Sequence, residues 1–306
     1  TMIALGGLTR LTRSGLSIVE WKPVTGILPP LNESQWQEQF ELYQNSPEYL
    51  QINSHFQIED YKKIFFWEYL HRLFGRIIFI ISVVVAIFLW RRQLLKLSHA
   101  LLLPLVVLSQ GLVGWLMVRS GLNSRPHVSQ YMLAMHFFTA LLLVYLIIWI
   151  DDRIRQKTKV ILLLKQKLLF LLVGLLLFLQ VFWGNLVSGL KAGYYYNSYP
   201  LMYGRFFPVD GLNLHPEYLN FFENPATVQW VHRWLAVLLF TMIGVFAFTF
   251  LKNKKKTCVE RDVYQLFVIA LIQLALGVST LVLSIPMYLA VFHQVVATLL
   301  VSQYFV

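Results

Sequence analysis

Residues 64–90, IFFWEYLHRLFGRIIFIISVVVAIFLW, form a long apolar stretch that carries a polar cluster near its beginning. A helix of about 20 apolar residues crosses the ~30 Å hydrocarbon core of a bilayer, because each residue adds 1.5 Å. The stretch therefore predicts a transmembrane helix. Glu68, His71 and Arg72 lie inside it, and ionisable side chains within such helices are costly and usually functional.

The rest of the chain repeats this apolar character. Further stretches of similar length lie at 99–118, 131–150, 166–188, 228–251, 263–284 and 287–306, and residues 1–12 look like the end of one more. We therefore predict an all-α integral membrane protein of eight helices, the first one truncated. The chain is 57% hydrophobic and 13% charged, which excludes an ordinary soluble domain. Its net charge of +11 then reflects membrane topology and not nucleic-acid binding.

Basic residues are concentrated in alternate loops, which predicts the orientation. They are Arg91, Arg92 and Lys96 and the basic residues of the stretches 153–167 and 252–261. By the positive-inside rule these loops face the cytoplasm or the mitochondrial matrix. The long loops 21–63 and 189–227 then face the periplasm or the intermembrane space. We expect the protein in the bacterial cytoplasmic membrane or the mitochondrial inner membrane.

The second half of the chain repeats motifs of the first. The motif EYLHR at 68–72 corresponds to QWVHR at 229–233, and MHFFTALLLV around His136 corresponds to FHQVVATLLV around His293. GGLTRLTRSG at 6–15 similarly corresponds to GNLVSGLKAG at 184–193. The repeat predicts two pseudo-symmetric four-helix bundles, residues 1–150 and 151–306.

Four of the eight histidines lie several residues inside apolar helices: His71, His136, His232 and His293. We expect all four in one layer, roughly 6–12 Å below the outer boundary of the membrane. Two imidazoles in each half suit haem iron, which takes one ligand from each face of the porphyrin. Zinc needs more ligands than either half provides, and a lone cysteine offers no thiolate site. The alternative is that these histidines only hydrogen-bond neighbouring helices.

Charged neighbours of these histidines differ between the halves. Arg72, Arg76 and Arg233 lie near the outer interface, where they pair with haem propionates or reach to lipid headgroups. Three residues before its histidine, the first half has Glu68 and the second has the neutral Gln229. A carboxylate there can relay protons, so we expect the reactive site in the first half and a permanent haem in the second. Alternatively, Glu68 only orients His71 or pairs with Arg72.

The segments GGLTRLTRSGLSIVEWKPVTGILPP (6–30), EYLHR followed by GRIIF, and NFFENPATVQWVHR (220–233) resemble the haem A synthase family of mitochondria and alphaproteobacteria. The resemblance covers essentially the whole chain. It implies an eight-helix membrane enzyme that converts haem O to haem A by oxidising a ring methyl to a formyl group, through successive hydroxylations and loss of water. It also implies that the protein carries haem B.

The same resemblance implies roles for individual residues. Glu68 is implicated in catalysis, with His71 and His136 as ligands of the substrate haem in the first half. His232 and His293 are then the ligands of haem B in the second half. Expected partners are haem O, membrane lipid, a haem O synthase, an electron donor and further copies of the chain. One departure is that residues 21–63 lack the cysteine pair found in another branch of the family.

Two other functions use the same four histidines. A dihaem membrane cytochrome that only transfers electrons needs them but does not need Glu68. A haem-binding assembly or transport protein needs them without any chemistry. Formation of haem A from haem O separates the enzyme from both.

Overall fold

The computed structural model describes residues 1–23, 25–123, 126–156, 162–251 and 258–306. Within these ranges the regular structure is helical, apart from one isolated bridge between Met202 and Arg205. The α-helices are α1 (Met2–Leu11), α2 (Glu33–Gln44), α3 (Ile58–Arg91), α4 (Leu97–Ala100), α5 (Leu102–Leu122), α6 (Gln130–Arg155), α7 (Leu164–Gly189), α8 (Asn220–Glu223), α9 (Pro225–Leu251), α10 (Cys258–Val282) and α11 (Met287–Phe305). The predicted all-α fold is confirmed.

Seven helical segments of the described chain are long and apolar enough to cross a membrane. They are Ile58–Arg91, Leu97–Leu122, Gln130–Arg155, Leu164–Gly189, Pro225–Phe250, Glu260–Val282 and Met287–Phe305. Each contains most of one apolar stretch predicted from the sequence, so the chain is an integral membrane protein. The additional helix predicted at residues 1–12 is the ten-residue α1.

Helix α3 begins at Ile58, six residues before the predicted span, and has 34 residues. The backbone N–H of Gln57 donates to Asp60 Oδ2 at 3.4 Å, and Glu59 and Asp60 place negative charge in the first turn. Both features stabilise a helix N-terminus. Hydropathy does not detect this polar first turn, so the helix extends beyond the predicted apolar span at its N-terminal end.

The chain divides into two compact units, Thr1–Leu146 and Ile147–Val306. In the first unit, α1 and α5 pack against α3, and α2 packs against the outer part of α3. The α2 contact is aromatic: Tyr43 stacks on Tyr61 with ring centroids 5.1 Å apart, and both are fully buried. The segment from Trp36 to Tyr43 belongs to α2.

In the second unit, α9 packs against both α7 and α10, and α11 packs against α10 and α7. The α7–α11 contact is made by Tyr304, whose ring stacks on Phe170 with centroids 4.4 Å apart. The Tyr304 hydroxyl donates to the Phe170 carbonyl at 2.9 Å. Gly174, one turn further along α7, leaves room for the Tyr304 ring.

Several predictions about the arrangement of the halves stay predictions. These are the division at residue 150, the pseudo-symmetry of the two bundles and the common layer of the four histidines. Parts of two basic stretches used to predict orientation, residues 157–161 and 252–257, lie outside the described residues.

We predict that Gly174→Ala destabilises the second unit. A Cβ at this position would overlap the Tyr304 ring, and overpacking of this kind costs about 1–3 kcal/mol. The matched control is Gly111→Ala in α5, where a Cβ meets no other atom within 4 Å. Thermal unfolding of the detergent-solubilised chain should give a lower midpoint for the first variant only, and equal midpoints would contradict the packing described.

Candidate functional site

Each of the four helix histidines faces a glycine on a neighbouring helix of its own unit. A Cβ on that glycine would lie 2.9–3.2 Å from an imidazole atom, closer than normal van der Waals contact between such atoms. Glycine therefore lets the ring lie against the neighbouring helix, and a larger residue would displace the ring. The pairs are Gly6 with His71, Gly114 with His136, Gly184 with His232, and Gly277 with His293.

Three of these histidines also contact a glutamine one helical turn before the glycine. The Nε2 atom of Gln110 lies 3.3 Å from His136 Nε2, and that of Gln273 lies 3.3 Å from His293 Nε2. The Nε2 atom of Gln180 lies 3.1 Å from His232 Nδ1. Each of these three imidazoles therefore contacts an amide as well as the glycine of the neighbouring helix.

The sequence analysis missed these glutamines and glycines as site residues. Their signal is a glutamine four residues before a glycine, at 110–114, 180–184 and 273–277, each within an apolar helix. Residues four apart share a helix face, so the amide and the gap left by the glycine point in one direction. On α1 the position four before Gly6 is Met2, which has no amide.

The donor set fits a metal that takes two imidazoles per unit. His71 and His136 lie in the first unit, and His232 and His293 lie in the second. The Nδ1 atoms of His136 and His293 are buried and make no hydrogen bond within the described ranges. Among those residues no group of three or more His, Cys, Asp or Glu side chains converges, which disfavours a zinc site.

Glu68 forms a buried ion pair with Arg72 on the same helix. Arg72 Nη2 donates to Glu68 Oε1 at 2.7 Å, and only 3% of Glu68 is exposed. The other carboxylate oxygen accepts from the Ser17 hydroxyl at 2.8 Å and from the Ile18 backbone N–H at 2.9 Å. Both oxygens are therefore fixed. This pairing was one alternative raised by the sequence, and it is compatible with a catalytic role as well.

The arginines of α3 hold the segment that follows α1. Arg72 donates to the carbonyl oxygens of Ile18 and Glu20 at 2.8 and 3.1 Å. Arg76 donates to the carbonyls of Lys22 and Pro23 at 3.0 and 2.9 Å. Through these bonds and the Ser17 contact, residues 17–23 are attached to the helix that carries His71.

The second unit contains an equivalent arginine cluster without the negative charge. We call the arginine, the residue four positions before it and the loop carbonyls that it binds the clamp of each unit. Arg233 Nη2 donates to Gln229 Oε1 at 2.8 Å, and the guanidinium also donates to the carbonyls of Tyr196 and Ser198, each at 2.6 Å. Gln229 Nε2 in turn donates to the Ala192 carbonyl at 2.9 Å. Arg233 is buried with an unbonded Nε, and the neutral Gln229 cannot balance its charge.

These features define an integral membrane protein of two units, each directing a pair of imidazoles between its helices. The chain belongs to the COX15-CtaA family, described as cytochrome oxidase assembly protein, whose model matches residues 1–305. This agrees with the family resemblance found in the sequence.

Individual relatives extend over nearly the whole chain. A protein of Bartonella tribocorum named heme A synthase is 36% identical over 97% of this chain and 84% of its own length. The proteins of that name from Wolbachia pipientis and Sinorhizobium fredii are each 39% identical. They match 98% and 96% of this chain and 85% and 81% of their own lengths.

We predict that Glu68→Ala lowers the free energy of unfolding by about 3 kcal/mol, because it leaves the Arg72 charge without its buried partner. Glu68→Gln also removes the counter-charge, but its oxygen can keep the bond to Arg72, as Gln229 does with Arg233, so it should cost less. Thermal unfolding of both variants in detergent tests this. If Glu68→Ala unfolds at the wild-type temperature, the clamp does not stabilise the fold.

Proposed function

We propose that this protein is a haem A synthase, which oxidises a ring methyl of haem O to a formyl group by successive hydroxylations and loss of water. Two observations support this: the three relatives above carry that name, and each unit seats two imidazoles against helix glycines. The proposal rests mainly on the second observation, because the four imidazoles provide ligands for two porphyrins. Among the described residues there is no group of three or more His, Cys, Asp or Glu side chains that could hold another metal ion.

We assign the two sites to the two halves of the chain. The substrate haem O lies between His71 and His136 in residues 1–150. His232 and His293 in residues 151–306 would hold a resident haem B, which would supply electron transfer when bound. Gln110, Gln180 and Gln273 lie beside His136, His232 and His293, and an amide oxygen turned towards the ring N–H that does not face the iron would orient each imidazole.

Glu68 is the catalytic carboxylate in this proposal. It lies three residues before His71 and therefore near the same face of α3. Its two oxygens are held by Arg72, Ser17 and the Ile18 N–H, so its position relative to His71 is fixed. A fixed carboxylate stabilises positive charge and accepts protons as the ring methyl is oxidised. Gln229 can do neither, which is why we place the reaction in the first half.

The three arginines bind haem propionates. The argument is strongest for Arg233, which is buried beside a neutral amide and is stabilised by an anion in surroundings of low dielectric. Arg72 already has Glu68 as its counter-ion, so its contribution and that of the neighbouring Arg76 come mainly from hydrogen bonds.

The surroundings of the reaction follow from its chemistry. Haem O carries a long apolar tail, so it enters and leaves through the lipid between helices. A haem O synthase supplies the substrate, and each hydroxylation consumes an oxidant of the dioxygen class together with reducing equivalents from an electron donor. We further propose that the chain forms homo-oligomers. The long loops lie on the periplasmic or intermembrane side of a bacterial cytoplasmic or mitochondrial inner membrane.

The decisive experiment is expression of the chain in cells that make haem O but not haem A, followed by extraction of the pigments. Wild type should yield haem A together with haem B. Glu68→Gln should lower haem A about 100-fold or more, the usual contribution of a positioned acid or base, and should retain haem B. Glu59→Gln, which changes an exposed carboxylate of the same helix, is the matched control and should leave haem A formation intact.

The outcomes separate the proposal from its competitors. Haem B and haem O without haem A or its hydroxymethyl precursor would identify a dihaem cytochrome or a haem carrier. Colourless protein that is otherwise folded would exclude haem binding altogether. Full haem A formation by Glu68→Gln would remove Glu68 from the reaction while leaving the function in place.

We also predict that Gly277→Ala lowers the haem B content. A Cβ there would lie 2.9 Å from His293 Cε1 and would displace the imidazole. The control is Gly244→Ala on α9, where a Cβ would lie an ordinary 3.6 Å from Phe267 Cε2. The absorbance of the reduced, purified protein per polypeptide measures the haem. Equal haem content in both variants would contradict the role of the glycine.

A further inference from the structure

Four positions in each half lie one helical turn beyond an imidazole, on the side away from the long loops. Two of them are the same in both halves: Gln110 corresponds to Gln273, and Ala140 corresponds to Ala297. The other two belong to the helix pair that carries the first histidine of each half, and there the residues change. At this level the halves therefore differ on one side of the site only.

In the first half the two changed positions hold Met2 on α1 and Gly75 on α3, one turn after His71. A Cβ on Gly75 would lie 3.7 Å from Met2 Cε, an ordinary van der Waals distance, so the two residues face each other. The methionine side chain is apolar and adaptable, and glycine leaves a gap beside it. This side of the first half is therefore apolar and deformable.

In the second half the corresponding positions hold Gln180 on α7 and Ala236 on α9. The Nε2 atom of Gln180 lies 3.1 Å from His232 Nδ1, which places the amide beside this imidazole. Its Oε1 atom is buried and makes no hydrogen bond within the described ranges. An apolar chain placed here would deny the amide a polar partner, which is costly. Ala236 also adds a methyl group where Gly75 has none.

Haem O and haem B differ in one substituent: haem O carries a long apolar isoprenoid chain where haem B has a vinyl group. In both haems the vinyl edge of the ring lies opposite the propionates. The guanidinium groups of Arg72 and Arg233 reach back to Glu68 and Gln229, one turn nearer to the long loops. Propionates bound to these arginines would therefore direct the isoprenoid chain away from the long loops, to the level at which the two halves differ.

We propose that Met2 and Gly75 make the first-half site specific for a haem with an isoprenoid chain, and that Gln180 and Ala236 restrict the second-half site to haem B. This inference rests on the proposed function, since it names the residues that separate the substrate from the cofactor. The apolar pair accepts the chain, whereas the amide and the added methyl group exclude it. Selection occurs at the edge of the ring, because both halves offer the iron two imidazoles.

The test is the pigment content of the purified full chain, produced in cells that make both haem O and haem B. We call haem O and its oxidation products together the isoprenoid haems. The wild type should contain isoprenoid haem and haem B in equal amounts. Met2→Gln combined with Gly75→Ala should lower the ratio of isoprenoid haem to haem B about tenfold or more, since an apolar chain then meets an amide and a methyl group.

The reciprocal variant combines Gln180→Met with Ala236→Gly. It should raise the ratio about threefold, because isoprenoid haem and haem B would then share the second half equally. Gly111→Ala, which adds a methyl group in open space on α5, is the control and should keep the wild-type ratio. Total haem per polypeptide is measured in the same samples, because a packing defect lowers both pigments together.

A wild-type ratio in both double variants overturns the inference. A loss of total haem in the first variant without a change of ratio overturns it as well, because Met2 and Gly75 would then serve only packing. Should the first variant not fold, the ratio in the reciprocal variant decides. A wild-type chain that binds no haem, or that binds haem O without forming haem A, refutes the proposed function itself and is recognised before any variant is compared.

Discussion

The arrangement of the helices depends on the cost of placing an imidazole inside an apolar helix. Such a ring needs space and a polar partner, since neither lipid nor an aliphatic side chain can hydrogen-bond it. The chain meets both needs on the neighbouring helix, where glycine supplies the space and, in three cases, glutamine supplies the partner. Helix pairs are thereby brought into a defined register, with the ring of one helix against the backbone of the next.

A second interaction attaches the loops to this framework. Arg72 and Arg233 follow their histidines directly, and each binds backbone carbonyls of a loop while contacting the residue four positions earlier. The positions of Glu68 and Gln229 are therefore set by loop and helix together. The loops therefore fix the side chain that precedes each of these two histidines by three residues.

Much of this could be predicted from the sequence, for identifiable reasons. The transmembrane helices follow from apolar stretches, and the motif repeat identified all four histidines. The glutamines were missed because one polar residue barely changes the hydropathy of a helix, and their partners lie 20 to 52 residues away. The clamps were only half predictable: Glu68 and Arg72 are visible in the sequence, but their remaining partners include backbone atoms, which leave no sequence signal.

The substitution of Glu68 by Gln229 in the second clamp has an electrical consequence. Arg72 is neutralised by Glu68 and Arg233 is not, but Arg76 adds a second cation in the first half only. The net charge of these groups is therefore +1 in both halves, and its placement differs: in the first half the uncompensated guanidinium is one helical turn further along the helix than in the second. Because charge interactions weaken with distance, the two halves would stabilise an added electron to different degrees.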